Sequence, residues 1–357
     1  MNAKRLIIAT VFLLSSLTIV WGQQEKSTFR TYLNKADSII TTRYNKIDYD
    51  TNYIQRPQGR FLLKMYGNLS GITITASDRQ NIDEDDPTKT YKSSAKFRTT
   101  TRSTFSLGLT YQGLTAGITI NPSAIGGGKR KKGEVELGLN IYDNRFIFDI
   151  NYYVSNTFAG YINVEDFPFP IDFHRGDIKI KMLNLSGYYT FNNKRFSFPA
   201  AFNQTYVQKK SAGSILAGFS FQGMALKNRE NWSWGELISY WKSKLYYVGV
   251  GVGYGYNFVF DKGRWLVHAS LLPNIVLYNV TKDDVGGEKG KSHDSFPVFL
   301  FNQYFAVVHF FGPKVDFFGA RYLAGVTCQS NNVLTLSKHA SSSQDKWMFR
   351  FFIGARF

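Results

Sequence analysis

The feature that most constrains this chain is an alternation of apolar and polar residues with a period of two, which recurs from about residue 60 onward. In one such stretch Val135, Leu137 and Leu139 alternate with Glu136 and Gly138. This pattern places apolar side chains on one face of a β-strand and polar side chains on the other. The same alternation is found at 61–69, 104–111, 114–120, 146–155, 183–191, 214–223, 246–258, 265–278, 296–311, 315–328 and 346–357. The chain is therefore predicted to be all-β.

The connections between these strands fall into two classes that alternate along the chain. The short turns are at 112–113, 143–145, 192–195, 260–263 and 312–313. The long polar loops are at about 78–96, 122–133, 156–177, 226–243, 280–295 and 329–345. Short periplasmic turns and long outer loops are typical of an up-and-down transmembrane β-barrel with an even number of antiparallel strands. One strand between each pair of connections predicts about twelve strands, with both termini in the periplasm.

Composition supports a membrane barrel. Aromatic residues make up 17% of the chain, with 22 Tyr and 31 Phe, yet the mean hydropathy is −0.23. Strands with one face in lipid and the other in water combine these two properties. A soluble β-sandwich is the alternative, although its strands seldom sustain this aromatic density. Residues 196–213 fit no simple strand and are expected to form a long turn, a bent strand or an inward element.

The N-terminal region divides into two predicted segments ahead of the barrel. Lys4 and Arg5 precede an apolar run at 6–21, and the small residue Gly22 follows it, which is the layout of a secretory signal peptide. A retained anchor is less favoured because the run is shorter than the roughly 20 residues of a spanning helix. Residues 1–22 are thus predicted to be the signal peptide and 23–59 a periplasmic segment with an amphipathic helix at 27–45. The barrel itself is predicted at 60–357.

The final strand is the most specific motif. Trp347, Phe349, Phe351, Ile353 and Phe357 share one face of it, and Phe357 is the last residue. An aromatic residue at the rim of a barrel anchors in the membrane interface. The strand resembles the signal by which the barrel-assembly machinery recognises outer-membrane proteins, with Phe349, Phe351, Ile353 and Phe357 as its signal residues.

Three features together resemble a known family. They are the Tyr- and Phe-rich strands, the segment 208–214 and the run 247–256. The chain resembles, over about 26–357, a family of uncharacterised outer-membrane barrels of Bacteroidota, known only as a domain of unknown function. The resemblance implies the fold and an outer-membrane location. It implies no activity and no site residues.

Charge predicts the partners and the candidate binding residues. The chain carries 43 Lys and Arg against 26 Asp and Glu, and loss of Lys4 and Arg5 would lower the net charge from +17 to +15. Such an excess attracts small anionic solutes and lipopolysaccharide phosphates at the outer membrane, whereas secretion disfavours nucleic acid. The charged residues predicted to face the lumen are Lys64, Glu134, Glu136, Asp149, Arg321, Arg350 and Arg356. Arg321 and Arg350 are predicted to form an anion-selective stripe. The alternative is that the lumen charges form internal salt bridges.

Catalytic and metal sites are weakly indicated. His268 and Ser270 are two positions apart on one strand, as in outer-membrane phospholipases, but their parity turns them toward the lumen rather than toward lipid. The acidic run 83–86 and the basic glycine-rich loop 126–133 are interpreted as solvated loops. No cofactor, metal or enzymatic activity is predicted. The leading hypothesis is a small channel or solute-binding barrel with a mild anion preference. The alternatives are a closed structural or envelope-interaction barrel and a lipid-modifying enzyme.

Overall fold

The computed structural model describes residues 46–81, 90–112, 114–120, 135–166, 168–228, 241–293, 297–314, 320–336 and 340–357, with scattered residues between 31 and 45. The chain divides into two compact units, residues 1–48 and residues 49–357. The predicted signal peptide at 1–22 lies outside the described residues. So does much of the predicted helix at 27–45, and both remain predictions. No helix within the described ranges is both long and apolar enough to cross a membrane.

The described part of the second unit is built of β-strands, with a short α-helix, α1 (Phe198–Phe202), between two of them and a 3-10 turn at Asp261–Gly263. Most of these strands show the predicted period of two in their burial. The described strands are β1 (Ile54–Gln55), β2 (Phe61–Asn81), β3 (Thr90–Arg98), β4 (Arg102–Tyr111), β5 (Leu114–Ile120), β6 (Val135–Tyr142), β7 (Phe146–Val164), β8 (Ile171–Thr190), β9 (Val207–Gln208), β10 (Ala212–Asn228), β11 (Trp241–Phe260), β12 (Trp265–Val285), β13 (Glu288–Ser292), β14 (Val298–Lys314), β15 (Ala320–Leu336) and β16 (Ala340–Arg356).

Ten of these strands close into an antiparallel barrel. The ring runs β2–β3–β7–β8–β10–β11–β12–β14–β15–β16, and β16 pairs back onto β2 along its whole length. The prediction of an all-β antiparallel barrel is therefore confirmed.

The prediction of about twelve strands in the barrel is not confirmed. Residues 93–98 of β3 pair directly with residues 159–164 of β7, so this part of the ring needs no strand between them. β5 forms a hairpin with β4, and β6 forms a hairpin with β7. Both hairpins lie in the half of the barrel nearer the short turns. The alternation in β5 and β6 correctly indicated strands, but it carried no information about which strands complete the ring.

Several strands are far longer than a membrane requires. β2 and β12 each have 21 residues, and β8 and β11 each have 20, whereas about 9–11 residues of tilted strand cross the hydrocarbon. Much of the predicted loops is consequently strand: β7 ends at Val164 and β8 begins at Ile171. Outside lipid both faces of a strand tolerate polar residues, so the alternation fades although the backbone ladder continues.

The outer face of the barrel is apolar near the short turns. On β11, Val248, Val250, Val252 and Tyr254 are exposed, while Tyr247 and Asn257 on the opposite face are buried. Exposed apolar side chains on neighbouring strands continue this belt, among them Leu63, Met65, Leu107, Leu109, Leu137, Leu139, Phe148, Ile150, Phe219, Leu271, Ile275, Phe305, Phe351 and Ile353. The chain thus has the inverted pattern of a membrane barrel, with apolar residues outside and polar residues inside.

Two inward-facing glycines of β11 set how closely β12 approaches. A Cβ on Gly251 would lie 2.0 Å from the Pro273 carbonyl oxygen, and one on Gly253 would lie 2.2 Å from that of Leu271. No side chain fits at these distances, because the obstructing atoms belong to the backbone of the neighbouring strand. The glycine run is therefore a close-packing feature of the barrel wall.

Replacing Gly251 with alanine is expected to destabilise the barrel by about 1–3 kcal/mol, the usual cost of overpacking. Gly67→Ala is the matched control, since nothing lies within 4 Å of the Cβ it would add. Urea unfolding of the refolded protein, followed by heat-modifiable gel migration, measures both variants. Equal midpoints for Gly251→Ala and Gly67→Ala would contradict the close approach.

Candidate functional site in the barrel lumen

The connection between β8 and β10 folds inward and fills one end of the lumen. We call residues 196–208 the plug. All five residues of α1 are buried, and the rings of Phe198 and Phe202 stack with their centroids 4.4 Å apart. Inward residues from strands around the ring pack in the same apolar cluster: Leu62, Ile147, Tyr188, Leu216, Leu266, Tyr304, Leu323 and Phe352. The unassigned stretch at 196–213 therefore contains an inward element.

A short segment before β2 supports the plug from the side of the short turns. Ile54 of β1 pairs with Gln208 of β9, and the backbone N–H of Lys209 donates to the Tyr53 carbonyl. Asp50 lies 3.4 Å from the Arg195 guanidinium. The backbone N–H of Asn52 donates to the Asp50 carboxylate, and this bond lowers the pKa of Asp50. The segment that precedes β2 thus holds the plug and the turn that leads into it.

Two buried cations anchor the end of α1. The Lys64 amine donates to the Asn203 carbonyl and to Gln204 Oε1, both at 2.9 Å, and Arg356 Nη2 donates to the Gln204 carbonyl at 2.9 Å. The last carbonyls of a helix lack partners within the helix, so cationic donors satisfy them. Lys64 is 1% exposed and Arg356 is 3% exposed. Both residues therefore bind the plug rather than solvent.

His268 lies at the centre of a hydrogen-bonded chain beneath the plug. Its Nδ1 is 2.7 Å from Asn257 Oδ1 and its Nε2 is 3.0 Å from Ser270 Oγ. Because the Asn257 amide nitrogen donates to the Ser197 carbonyl, its oxygen is left to accept from His268 Nδ1–H. Nε2 then accepts from the Ser270 hydroxyl. The arrangement places a hydroxyl, an imidazole and an orienting amide in the order used for nucleophile activation.

The surroundings of this chain are closed. His268 and Asn257 are fully buried, and the rings of Phe196, Phe198 and Phe202 lie within 5.9 Å of the imidazole, centroid to centroid. Asn257 also donates to Gln208 Oε1 of the plug at 3.0 Å. In the described state the Ser270–His268–Asn257 chain connects the wall to the plug.

The middle of the lumen is crossed by hydrogen bonds between opposite strands. Gln222 of β10 donates to Gln344 of β16 at 2.9 Å, and these strands lie five steps apart in the ring of ten. Tyr304 of β14 donates to Asp149 of β7 at 2.7 Å, again across five steps. Asp149 also accepts from the Tyr142 hydroxyl at 2.5 Å. Side chains from opposite walls therefore meet inside the barrel.

Other charged residues of the lumen are also engaged, whereas the Nε and Nη1 atoms of Arg102 are buried without a hydrogen-bond partner among the described residues. Lys346 lies 2.7 Å from Glu136, which accepts from the Ser70 hydroxyl as well. Arg350 donates to Asn68 at 2.8 Å and lies over the Tyr66 ring. These contacts resemble the internal network that was the alternative to an anion-selective stripe.

Other predicted residues are placed elsewhere. Arg321 is exposed at the short-turn end of β15, and the structure does not bring it together with Arg350. Glu134 and the loops at 83–86 and 126–133 lie outside the described residues. Phe349, Phe351, Ile353 and Phe357 are between 40% and 58% exposed on the outer face. Recognition of these four residues by an assembly machinery remains a prediction.

Sequence reasoning missed the neutral residues that close the lumen, above all Gln204, Gln222, Tyr304 and Gln344. For the three that lie in strands, Gln222, Tyr304 and Gln344, parity gives the face, but no local signal shows which residues meet across the ring.

A polar cavity of about 10 Å³ lies among Asp149, Asn184, Ser220, Asn302 and Asn331, which is about the room that one water molecule needs. Within the described ranges no three His, Cys, Asp or Glu residues are grouped so as to hold a metal ion.

Fold and lumen together define the class of protein: an antiparallel β-barrel, closed on itself and plugged from within. The chain belongs to the family described as Domain of unknown function (DUF4421), whose model matches residues 48–357. A search of curated proteins gave no significant match.

Solved structures similar to this chain include three outer-membrane barrels. The outer membrane protease OmpT from Escherichia coli is 8% identical, with 88% of this chain and 100% of that chain covered and a TM-score of 0.43. The β domain of the Bordetella autotransporter BrkA is 12% identical, with coverages of 81% and 99% and a TM-score of 0.26. The translocator domain of the autotransporter NalP from Neisseria meningitidis is 8% identical, with coverages of 93% and 98% and a TM-score of 0.21.

Lys64→Met is expected to lower stability by about 1–3 kcal/mol, because it leaves the Asn203 carbonyl and the Gln204 side chain buried without their donor. Lys194→Met is the matched control, since Lys194 is exposed in the turn that precedes the plug. Urea midpoints of the two variants provide the comparison. A midpoint for Lys64→Met as high as that of the control would show that the amine does not anchor the plug.

Proposed function

We propose that this protein is an integral outer-membrane β-barrel that is closed to solutes and acts at the envelope through its outer surfaces. The observation that carries this proposal is the pair of hydrogen bonds across the lumen, Gln222 to Gln344 and Tyr304 to Asp149. An open pore of this width would leave the opposite walls separated by water.

The proposed location follows from the wall of the barrel. The exposed apolar belt matches the hydrocarbon of a membrane, and the pairing of β16 with β2 closes the ring of ten strands. The short turns and the pairing of Phe357 with Phe61 lie at the same end of the barrel. In outer-membrane barrels that end is periplasmic, so the long strands project outward.

The interior charges support a closed barrel over an anion channel. An anion-selective pore needs cations that face the solute path. Here Lys64 and Arg356 bind carbonyls of the plug, and Lys346 is paired with Glu136. These cations neutralise or satisfy groups of the protein itself.

Single-channel recording in planar bilayers tests the proposal. The wild-type protein is expected to show no current steps, with heat-modifiable migration confirming that the inserted protein is folded. Stable steps in the wild type would overturn the closed state. If their anion selectivity fell in Arg350→Ala but not in Arg321→Ala, the channel hypothesis would replace it.

A serine hydrolase is the second candidate function, favoured by the Ser270–His268–Asn257 chain. For Ser270 to react, the plug would have to leave the lumen, because it covers the imidazole.

A fluorophosphonate probe separates the two candidates. The closed-barrel proposal predicts no labelling of the folded protein. Labelling that is lost in Ser270→Ala and retained in Ser220→Ala, a second buried lumen serine, would favour the hydrolase.

A further inference from the structure

The outer face of four neighbouring strands carries a group of lysines beyond the apolar belt. We call Lys179 and Lys181 of β8, Lys227 of β10, Lys242 and Lys244 of β11, and Lys282 of β12 the lysine patch. Their positions alternate with buried residues of the opposite face, such as Ile178, Ile180 and Tyr247. The six side chains therefore project outward from the barrel.

The strand register brings these lysines side by side. Lys227 lies directly opposite both Lys179 and Lys242, and Lys244 lies directly opposite Lys282. Directly opposite residues on one face have their Cβ atoms about 4.5–5.5 Å apart. Among the described residues that lie directly opposite these lysines, one is a carboxylate, Asp284, which lies opposite Lys242.

Like charges placed directly opposite each other destabilise a sheet. The repulsion between Lys244 and Lys282 is relieved when an anion binds between their amines. A ligand with more than one phosphate group suits the patch best, since the amines are spread over several strands.

The position of the patch indicates which anion is available. Along β11, Lys242 and Lys244 are followed on the same face by Tyr246 and Val248, the start of the apolar belt. The patch therefore adjoins the lipid-facing surface at the end away from the short turns. Given the outer-membrane orientation proposed above, on which this inference rests, that level holds the headgroups of the outer leaflet.

The outward lysines are not spread evenly around the barrel. Across the ring, the outward residues near the same ends of β15 and β16 are Leu334, Leu336, Ser341 and Ser343, which carry no charge. A second, smaller group of outward cations lies on β2 and β3, at Arg79, Lys92, Lys96 and Arg98.

We propose that the lysine patch binds the phosphate groups of the phosphorylated glycolipid of the outer leaflet, and so holds a lipopolysaccharide molecule against β8, β10, β11 and β12. The lysine stems lie along the apolar wall while their amines reach the headgroup level. The acyl chains of the same molecule then contact the apolar belt.

Titration of the folded, detergent-solubilised protein with fluorescent diphosphoryl lipid A tests this proposal. Lys244→Gln/Lys282→Gln is expected to weaken binding about tenfold or more, given the usual contribution of each lysine near an anionic surface. The matched control is Arg79→Gln/Lys92→Gln, which also removes two directly opposite cations. Thr73, Thr75 and Ser77 separate this second pair from the belt, so its loss is expected to leave the affinity unchanged.

Equal weakening in both double variants, or none in the patch variant, would overturn the proposal. Inorganic phosphate is the second probe. If it competes with lipid A at equal concentration, the ligand is phosphate alone and the glycolipid assignment is wrong. Membrane fractionation of the same proteins tests their location independently of lipid A binding. Absence from the outer membrane would contradict the proposed function even if lipid A bound.

Discussion

The pairing of β16 with β2 is the interaction on which the rest of this structure depends. A sheet in lipid cannot leave backbone N–H and C=O groups unpaired at an edge, so the strands must close into a ring. Here the closing ladder runs from Arg356 opposite Leu62 to Ala340 opposite Asp78. Closure brings the inward faces of the ring strands around one shared interior.

The size of the ring then determines what that interior must contain. About eight strands give a barrel just wide enough for side chains to fill. A ring of ten is wider, and the chain fills it with the plug at one end and with hydrogen bonds between opposite walls in the middle. Lys64 and Arg356 of the wall donate hydrogen bonds to the Asn203 and Gln204 carbonyls, which follow α1. These two cations therefore connect the barrel wall to the plug. The closure of the ring, the filling of its lumen by the plug and the burial of Lys64 and Arg356 therefore depend on one another.

Much of the fold followed from local pattern. The alternation in 135–142, 146–155 and 246–258 correctly indicated strands, and Lys64, Asp149, His268 and Ser270 are buried residues of the barrel. The number of strands in the ring was not predictable, because β3 and β7 meet through a pairing that no local feature encodes. The same limit applies to Gln222 and Gln344, which are neutral, unremarkable residues until the ring brings them together.

The sequence by itself determined the class of fold, since a period of two with aromatic residues on one face is a property of neighbouring residues along the chain. It also assigned the residues of the regular strands to one face or the other. Only the tertiary structure decided that the lumen is filled, that Arg321 lies away from Arg350, and that six lysines form one outward patch. Each of those outcomes depends on distances between strands that are far apart in sequence, and these distances are set by strand register and ring closure.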